Sequence, residues 1–152
     1  MIRARWSLFA AALLLAGAGC SRKDAAGTQA ALEKQFQESL SGATLVGHFT
    51  MGKDSALREE KYTIEKVSKV AGDVWLFQAR IQYGSRDVTV PLPLTVKWAG
   101  DTPLVTLTDL ALPRLGTYTA RVLFYRGQYA GTWSGHGAGG QLFGRIEKTA
   151  SR

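Results

Sequence analysis

The chain has 152 residues, 45% of them hydrophobic, which is enough for one domain with its own hydrophobic core. Its 19 lysines and arginines outnumber 12 acidic residues, giving a formal net charge of +7. The basic residues are scattered without a block or stripe, so the sequence does not favour a nucleic-acid partner. Because Cys20 is the only cysteine, an intramolecular disulfide is excluded.

Residues 1–19 have the layout of an export signal. A cationic start containing Arg3 and Arg5 is followed by an apolar run of 14 residues, from Trp6 to Gly19, that ends in small side chains. This run is shorter than the roughly 20 residues that a transmembrane helix needs. The sequence therefore predicts that residues 1–19 are a signal peptide.

A lone cysteine directly after small residues resembles the lipobox of bacterial lipoproteins, in which the signal is removed and the cysteine thiol is acylated. Ala18 and Gly19 fit the lipobox, while Gly17 stands where a branched apolar residue is usual. The resemblance implies lipidation of Cys20 and a membrane partner held through that residue, in the cell envelope. Ser21, in place of aspartate, favours the outer membrane facing the periplasm over the inner membrane. The alternative is an ordinary signal peptide whose removal near Cys20 leaves a free thiol.

The next segment is expected to form a tether and then a helix. Residues 20–28 are small and polar, which suits a lipidated tether. Residues 29–41 predict a short helix, since Leu32, Phe36 and Leu40 recur at four-residue spacing among good helix formers.

From residue 44 to residue 149 apolar side chains recur at every second position, which predicts an antiparallel β domain. The predicted strands cover residues 44–51, 61–70, 73–83, 87–98, 104–110, 117–125, 129–134 and 141–148. Between the first two strands, a helical turn is considered at Ala56 and Leu57. Residues 135–140, rich in glycine, are expected to form a flexible hairpin loop.

Proline marks one strand as unusual. Pro91 and Pro93 fall on the face opposite the apolar side chains in the run over residues 87–98. Because proline cannot donate a hydrogen bond to a ladder, this strand is expected to lie at an edge or to carry a bulge.

Two further resemblances concern the β domain. The segment Leu45-Val46-Gly47-His48-Phe49 looks like the G-x-W start of lipocalins and other calycins, with Phe49 in place of tryptophan. Most of the domain looks like a group of uncharacterised exported bacterial proteins. The stretches that carry this likeness are residues 74–77, 79–84, 90–94, 116–122 and 129–135. These resemblances imply a shared fold and carry over no functional residue.

The expected fold is mostly β. About eight strands joined by tight turns favour an antiparallel meander that curls into a lipocalin-like barrel or half-barrel, because closure removes exposed sheet edges. The alternative is a two-sheet β-sandwich. The helix over residues 29–41 is expected to lie on the barrel or to plug one end.

Bulky side chains with inward spacing are candidates to line a cavity, since a barrel of about eight strands can hold one small ligand. They are Trp75, Phe77, Ile81, Tyr118, Phe124 and Trp133. The only histidines, His48 and His136, are too few for a metal site of three or four ligands. We expect no metal, no cofactor and no catalytic residue, because the sequence has no nucleophile–base motif.

These observations predict a membrane-anchored exported lipoprotein with a non-enzymatic β domain that binds a small apolar ligand or an envelope protein. The alternative is a structural or assembly lipoprotein whose barrel is packed and has no ligand cavity.

Overall fold

The structure, a computed structural model, describes residues 21–83, 85–113 and 115–148. The predicted signal peptide and Cys20 lie outside the described residues. One helix precedes eight strands: α1 (Ser21–Leu40), β1 (Ala43–Met51), β2 (Asp54–Ala71), β3 (Val74–Tyr83), β4 (Arg86–Ala99), β5 (Thr102–Leu112), β6 (Gly116–Tyr125), β7 (Gln128–Gly135) and β8 (Ala138–Lys148).

The eight strands form a closed antiparallel barrel in the order of the chain. Each strand pairs with the next, and the ladder between β1 and β8 closes the sheet, from Ala43 opposite Lys148 to Phe49 opposite Leu142. The predicted barrel with one helix before it is confirmed. The β-sandwich alternative is wrong, because all eight strands belong to one continuous sheet.

Helix α1 begins eight residues before the predicted start, so residues 21–28, expected as a tether, lie in its first turns. Arginine, lysine and two alanines in this stretch are good helix formers, and Gly27 is the only residue there that costs as much as roughly 1 kcal/mol in a helix. At the other end, Gly42 has a φ of 70°, the left-handed conformation that ends many helices.

The region between the first two strands also differs from the expectation. Ala56 and Leu57, considered for a helical turn, belong to β2, which is 18 residues long. This part of the strand lacks the apolar alternation that identifies the other strands, because most of its side chains are polar and face solvent. Antiparallel pairing with β1 fixes the conformation, with Arg58 opposite Phe49 and Glu60 opposite Gly47.

The glycine-rich segment over residues 135–140 forms a hairpin, as expected, but its loop is only the two-residue turn His136–Gly137, and residues 138–140 belong to β8. Close backbone contact explains the glycines in β8. A Cβ atom on Gly140 would lie 2.1 Å from the carbonyl oxygen of Thr50, and one on Gly139 would lie 2.8 Å from that of Trp133. These positions admit no side chain without a shift of the neighbouring strand.

The ladder between β4 and β5 is short. Among the described residues it runs only from Thr95 opposite Thr106 to Ala99 opposite Thr102. Residues 86–94, which include Pro91 and Pro93, therefore pair with β3 alone. The prolines thus lie where the strand has one partner, in agreement with the edge-like position expected from their missing donors.

Helix α1 closes the end of the barrel at which β1 begins. Phe36 and Leu40 are buried, and the Phe36 ring makes edge contacts with rings from three strands. Its centroid lies 5.4 Å from that of Trp75, 6.1 Å from Phe77, 5.9 Å from Trp98 and 6.0 Å from Phe124. A side chain surrounded by β3, β4 and β6 must lie inside the barrel end, so the helix acts as a plug.

Polar contacts fix the plug on the sheet. The Val67 amide donates to Oγ of Ser41 at 3.0 Å, and the Lys148 ammonium donates to the Ser41 carbonyl at 3.0 Å. Glu33 on the helix forms an ion pair with Lys69 of β2 at 2.6 Å. The helix end is therefore held by β2 and β8 as well as by Phe36.

Candidate ligand-binding site

Above the plug, the barrel encloses a cavity of about 450 Å³. Its walls come from all eight strands, and Leu40 of the helix forms part of the lower end. Apolar side chains dominate, including Leu45, Ile64, Leu94 and Val105. The cavity lies within the range of roughly 300–1,000 Å³ that small-molecule sites occupy.

Five of the six candidate lining residues border this cavity. They are Phe77, Ile81, Tyr118, Phe124 and Trp133. Trp75 is not among the lining residues: it is only 1% exposed and lies at the plug end, covered by Phe36. Its position two residues before Phe77 puts its side chain on the inner face, but the Phe36 side chain of the helix packs against it and separates it from the cavity.

One carboxylate interrupts the apolar wall. Glu60 on β2 is 4% exposed and is the only buried charged residue among those that the structure describes. The Tyr62 hydroxyl donates to Oε2 of Glu60 at 2.7 Å, and the Tyr129 hydroxyl donates to Oε1 at 2.9 Å. All three residues line the cavity. We call them the Glu60 cluster.

The register of the barrel creates this cluster. Glu60 lies opposite Gly47, Gly47 opposite Gly144, and Gly144 opposite Tyr129, which makes one row across β2, β1, β8 and β7. Glu60 and Tyr129 are thus three strand spacings apart, roughly 14 Å along the sheet. The Tyr129 side chain lies along the inner surface, over Gly144 and Gly47, and meets the Glu60 side chain that extends from the other side.

The two glycines make room for the Tyr129 side chain. A Cβ atom on Gly144 would lie 2.6 Å from Cε1 of Tyr129, and one on Gly47 would lie 2.4 Å from its hydroxyl oxygen. Both distances are below any normal carbon contact, so the ring passes directly over these positions. The absence of side chains at Gly47 and Gly144 therefore allows Tyr129 to reach Glu60.

Burial dominates the electrostatics of the cluster. Desolvation raises the pKa of the Glu60 carboxyl above its usual 4.5, while the hydrogen bonds from Tyr62 and Tyr129 and the charge of His48 act in the opposite direction. Burial and the neighbouring carboxylate together raise the pKa of Tyr129 well above its usual range. The tyrosine therefore keeps its proton and remains a donor.

The two histidines lie in different places. His48 is on the outer face of β1, with its ring 6.2 Å from that of Phe143. His136 is in the turn between β7 and β8, at the end of the barrel far from the helix, where its Nε2 lies 2.7 Å from the Leu115 carbonyl oxygen. Among the described residues, no three metal-ligating side chains come together.

The far end of the barrel has its own apolar cluster. Leu115, in the turn between β5 and β6, packs with Ile81 and Val90, and Val88 and Leu112 lie against them. These side chains bridge the stretch where β4 and β5 share no ladder. The barrel wall is therefore completed there by side-chain packing, whereas backbone hydrogen bonds complete it elsewhere.

Fold and site together define a closed eight-stranded barrel with an internal apolar cavity and one buried carboxylate. Within the described residues, no helix combines the length and apolar character needed to cross a bilayer. Comparison with protein-family models, with curated proteins and with solved structures finds no match to this chain.

Proposed function

We propose that this protein is a membrane-anchored exported lipoprotein whose barrel binds one small apolar ligand and performs no catalysis. The observation that carries this proposal is the cavity of about 450 Å³ inside the barrel. It is about three times the ~150 Å³ of an apolar cavity that stays dry and binds benzene. A mostly apolar wall with a few convergent polar groups is the usual composition of a ligand site.

The cavity favours ligand binding over a purely structural role. Protein interiors are packed to the density of organic crystals, with few voids larger than a water molecule. A barrel that served only as a rigid module would gain stability by filling this space with larger side chains. Small residues such as Ala79 and Ala120 instead border the cavity.

The anchor is the second part of the proposal. Acylation of Cys20 would attach the chain to the envelope, with the outer membrane facing the periplasm preferred over the inner membrane. Helix α1 begins at Ser21, directly after that cysteine, and is 20 residues long, so it spans roughly 30 Å. The plug end of the barrel would then face the lipid, and the end near His136 would face away.

The test is a titration with Nile red, a neutral apolar dye whose fluorescence rises in apolar surroundings. We would use the full chain carrying Cys20→Ser, which cannot be acylated. Ala120→Leu puts a larger side chain into the cavity, and Ala130→Leu, on the outer face of β7, is the matched control. We expect saturable binding at one site, about tenfold weaker in Ala120→Leu, a loss of about 1.4 kcal/mol. Non-saturable binding, or equal binding by both variants, would contradict the proposal.

A further inference from the structure

Glu60 places a carboxyl group in a cavity whose wall is mostly apolar. It is 4% exposed and borders the cavity together with Tyr62 and Tyr129. Each carboxylate oxygen accepts one hydrogen bond from a tyrosine hydroxyl. Since each such oxygen has about two lone-pair sites, the carboxylate retains room for further donors.

No ion pair joins this carboxylate to a cation in the described part of the chain. The ion pairs there lie on the surface, as in Arg80 with Asp87 and Arg145 with Glu147. His48, whose charge Glu60 senses, is on the outer face of the sheet. A buried charge without a partner of opposite sign is costly, and proteins usually pair it. A cation brought by a bound molecule would supply that partner.

We propose that the ligand of the barrel is an apolar molecule with a single protonated amine, which binds with the amine against Glu60. This inference rests on the proposed ligand-binding function and names the chemical class of the ligand. An ammonium group offers up to three donors and the opposite charge, and charge-assisted hydrogen bonds are about twice as strong as neutral ones. The apolar body then lies against Phe77, Leu94 and Phe124.

Two other head groups fit less well. A fatty acid would bring a second carboxylate beside Glu60, and like charges at close range repel. An alcohol would donate one hydrogen bond and leave the negative charge uncompensated. The order of affinity expected from this geometry is therefore amine, then alcohol, then acid, for the same alkyl chain.

The experiment is displacement of Nile red by decylamine, 1-decanol and decanoate at neutral pH, with the full chain carrying Cys20→Ser. Three versions would be compared: this chain, the same chain with Glu60→Gln, and the same chain with Glu59→Gln. Glu59 is the matched control, because it is the adjacent carboxylate and lies exposed on the outer face of β2. All three versions have the same length and nearly the same composition.

We expect decylamine to displace the dye at about one-tenth of the concentration of 1-decanol, with decanoate weakest. In Glu60→Gln, the concentrations of amine and alcohol that displace the dye should differ by no more than about threefold. In Glu59→Gln, the tenfold preference for the amine should be unchanged. If Glu60→Gln does not fold, the order of the three compounds measured on the chain with Glu60 intact still tests the ligand class, because that measurement needs no variant at residue 60.

Equal displacement by amine and alcohol, or stronger displacement by decanoate, would overturn the ligand class while the cavity remained a binding site. A preference that survives Glu60→Gln would equally overturn the role of Glu60. If Nile red itself does not bind, the proposed function fails and the ligand class fails with it.

Discussion

The Tyr129 hydroxyl donates a hydrogen bond to Glu60 at 2.9 Å, although the two residues are 69 positions apart in the sequence. The contact crosses the closing seam of the barrel, because β1 and β8 lie between the two strands that carry it. It therefore joins the first hairpin to the last and places a donor on the only buried carboxylate of the described chain.

Replacing Tyr129 by phenylalanine should weaken the fold. The phenylalanine side chain would keep the ring over Gly144 but leave Glu60 with only the Tyr62 donor, and an unsatisfied buried acceptor costs about 1–3 kcal/mol. Urea denaturation of the parent chain and the variant measures this difference. The control is Tyr125→Phe, which removes the hydroxyl of an exposed tyrosine on β6. Equal losses in the two variants would show that the buried contact contributes no net stability.

The stability of the protein should depend on pH through Glu60. Since the folded-state pKa of this carboxyl is raised above 4.5, the folded protein takes up a proton at a higher pH than the unfolded chain. The stability of the parent relative to Glu60→Gln should therefore rise as pH falls through the raised pKa towards 4.5, and fall as pH increases through the same range.

Denaturation of both chains from about pH 8 to about pH 4 measures this effect, because the other titrating groups are common to both. Three groups act on Glu60: the hydroxyls of Tyr62 and Tyr129, and His48 through its charge. Protonated His48 favours the ionised carboxylate and opposes the trend, so the comparison should be repeated with His48→Gln. A stability difference that stays constant, or shrinks towards low pH, would contradict the burial of the carboxylate.

Trp75→Ala should be among the most damaging single substitutions. The side chain is 1% exposed and its ring contacts the Phe36 ring of the plug, so its loss leaves a cavity and costs about 3–5 kcal/mol. Val74→Ala, on the exposed face of the same strand, should change the free energy of unfolding by less than about 0.5 kcal/mol. A loss under about 1 kcal/mol for Trp75→Ala would argue against the plug.

Cys20→Ser should abolish membrane retention without altering the barrel. The acyl chains expected on Cys20 provide about 0.8 kcal/mol per buried CH₂ group, and two or more chains anchor a protein stably. Cell fractionation with and without the substitution tests this, with circular dichroism as the check on folding. A mutant that still sediments with membranes would show that something other than the acyl group holds the protein.

The alternation of apolar side chains and the short turns predict an antiparallel β domain and favour a barrel, but they are also compatible with a β-sandwich, which only the closing ladder between β1 and β8 excludes. Phe77 and Ile81 illustrate the alternation, since their spacing alone puts them on the inner face. The start of α1 was not predicted, because residues 21–28 lack the apolar spacing that identified the rest of the helix. Propensity alone gives a weak signal there.

Glu60 was missed because it follows another glutamate and precedes a lysine, a pattern typical of an exposed connection. The sequence does contain a signal: Glu60, Tyr62 and Ile64 are spaced by two residues. If β2 is taken to begin before residue 60, all three side chains fall on the inner face. The contribution of Tyr129 could not be read from the sequence. It depends on the register across the β1–β8 seam, which is fixed only when the barrel closes.

Native mass spectrometry of the intact chain tests the central claim most directly. The Cys20→Ser protein, purified without detergent from cells that express the full chain, should appear with one small molecule bound per protein. The Ala120→Leu chain should carry much less of it. A parent protein that appears only at its ligand-free mass, and stays so after incubation with decylamine and with Nile red, would contradict the account.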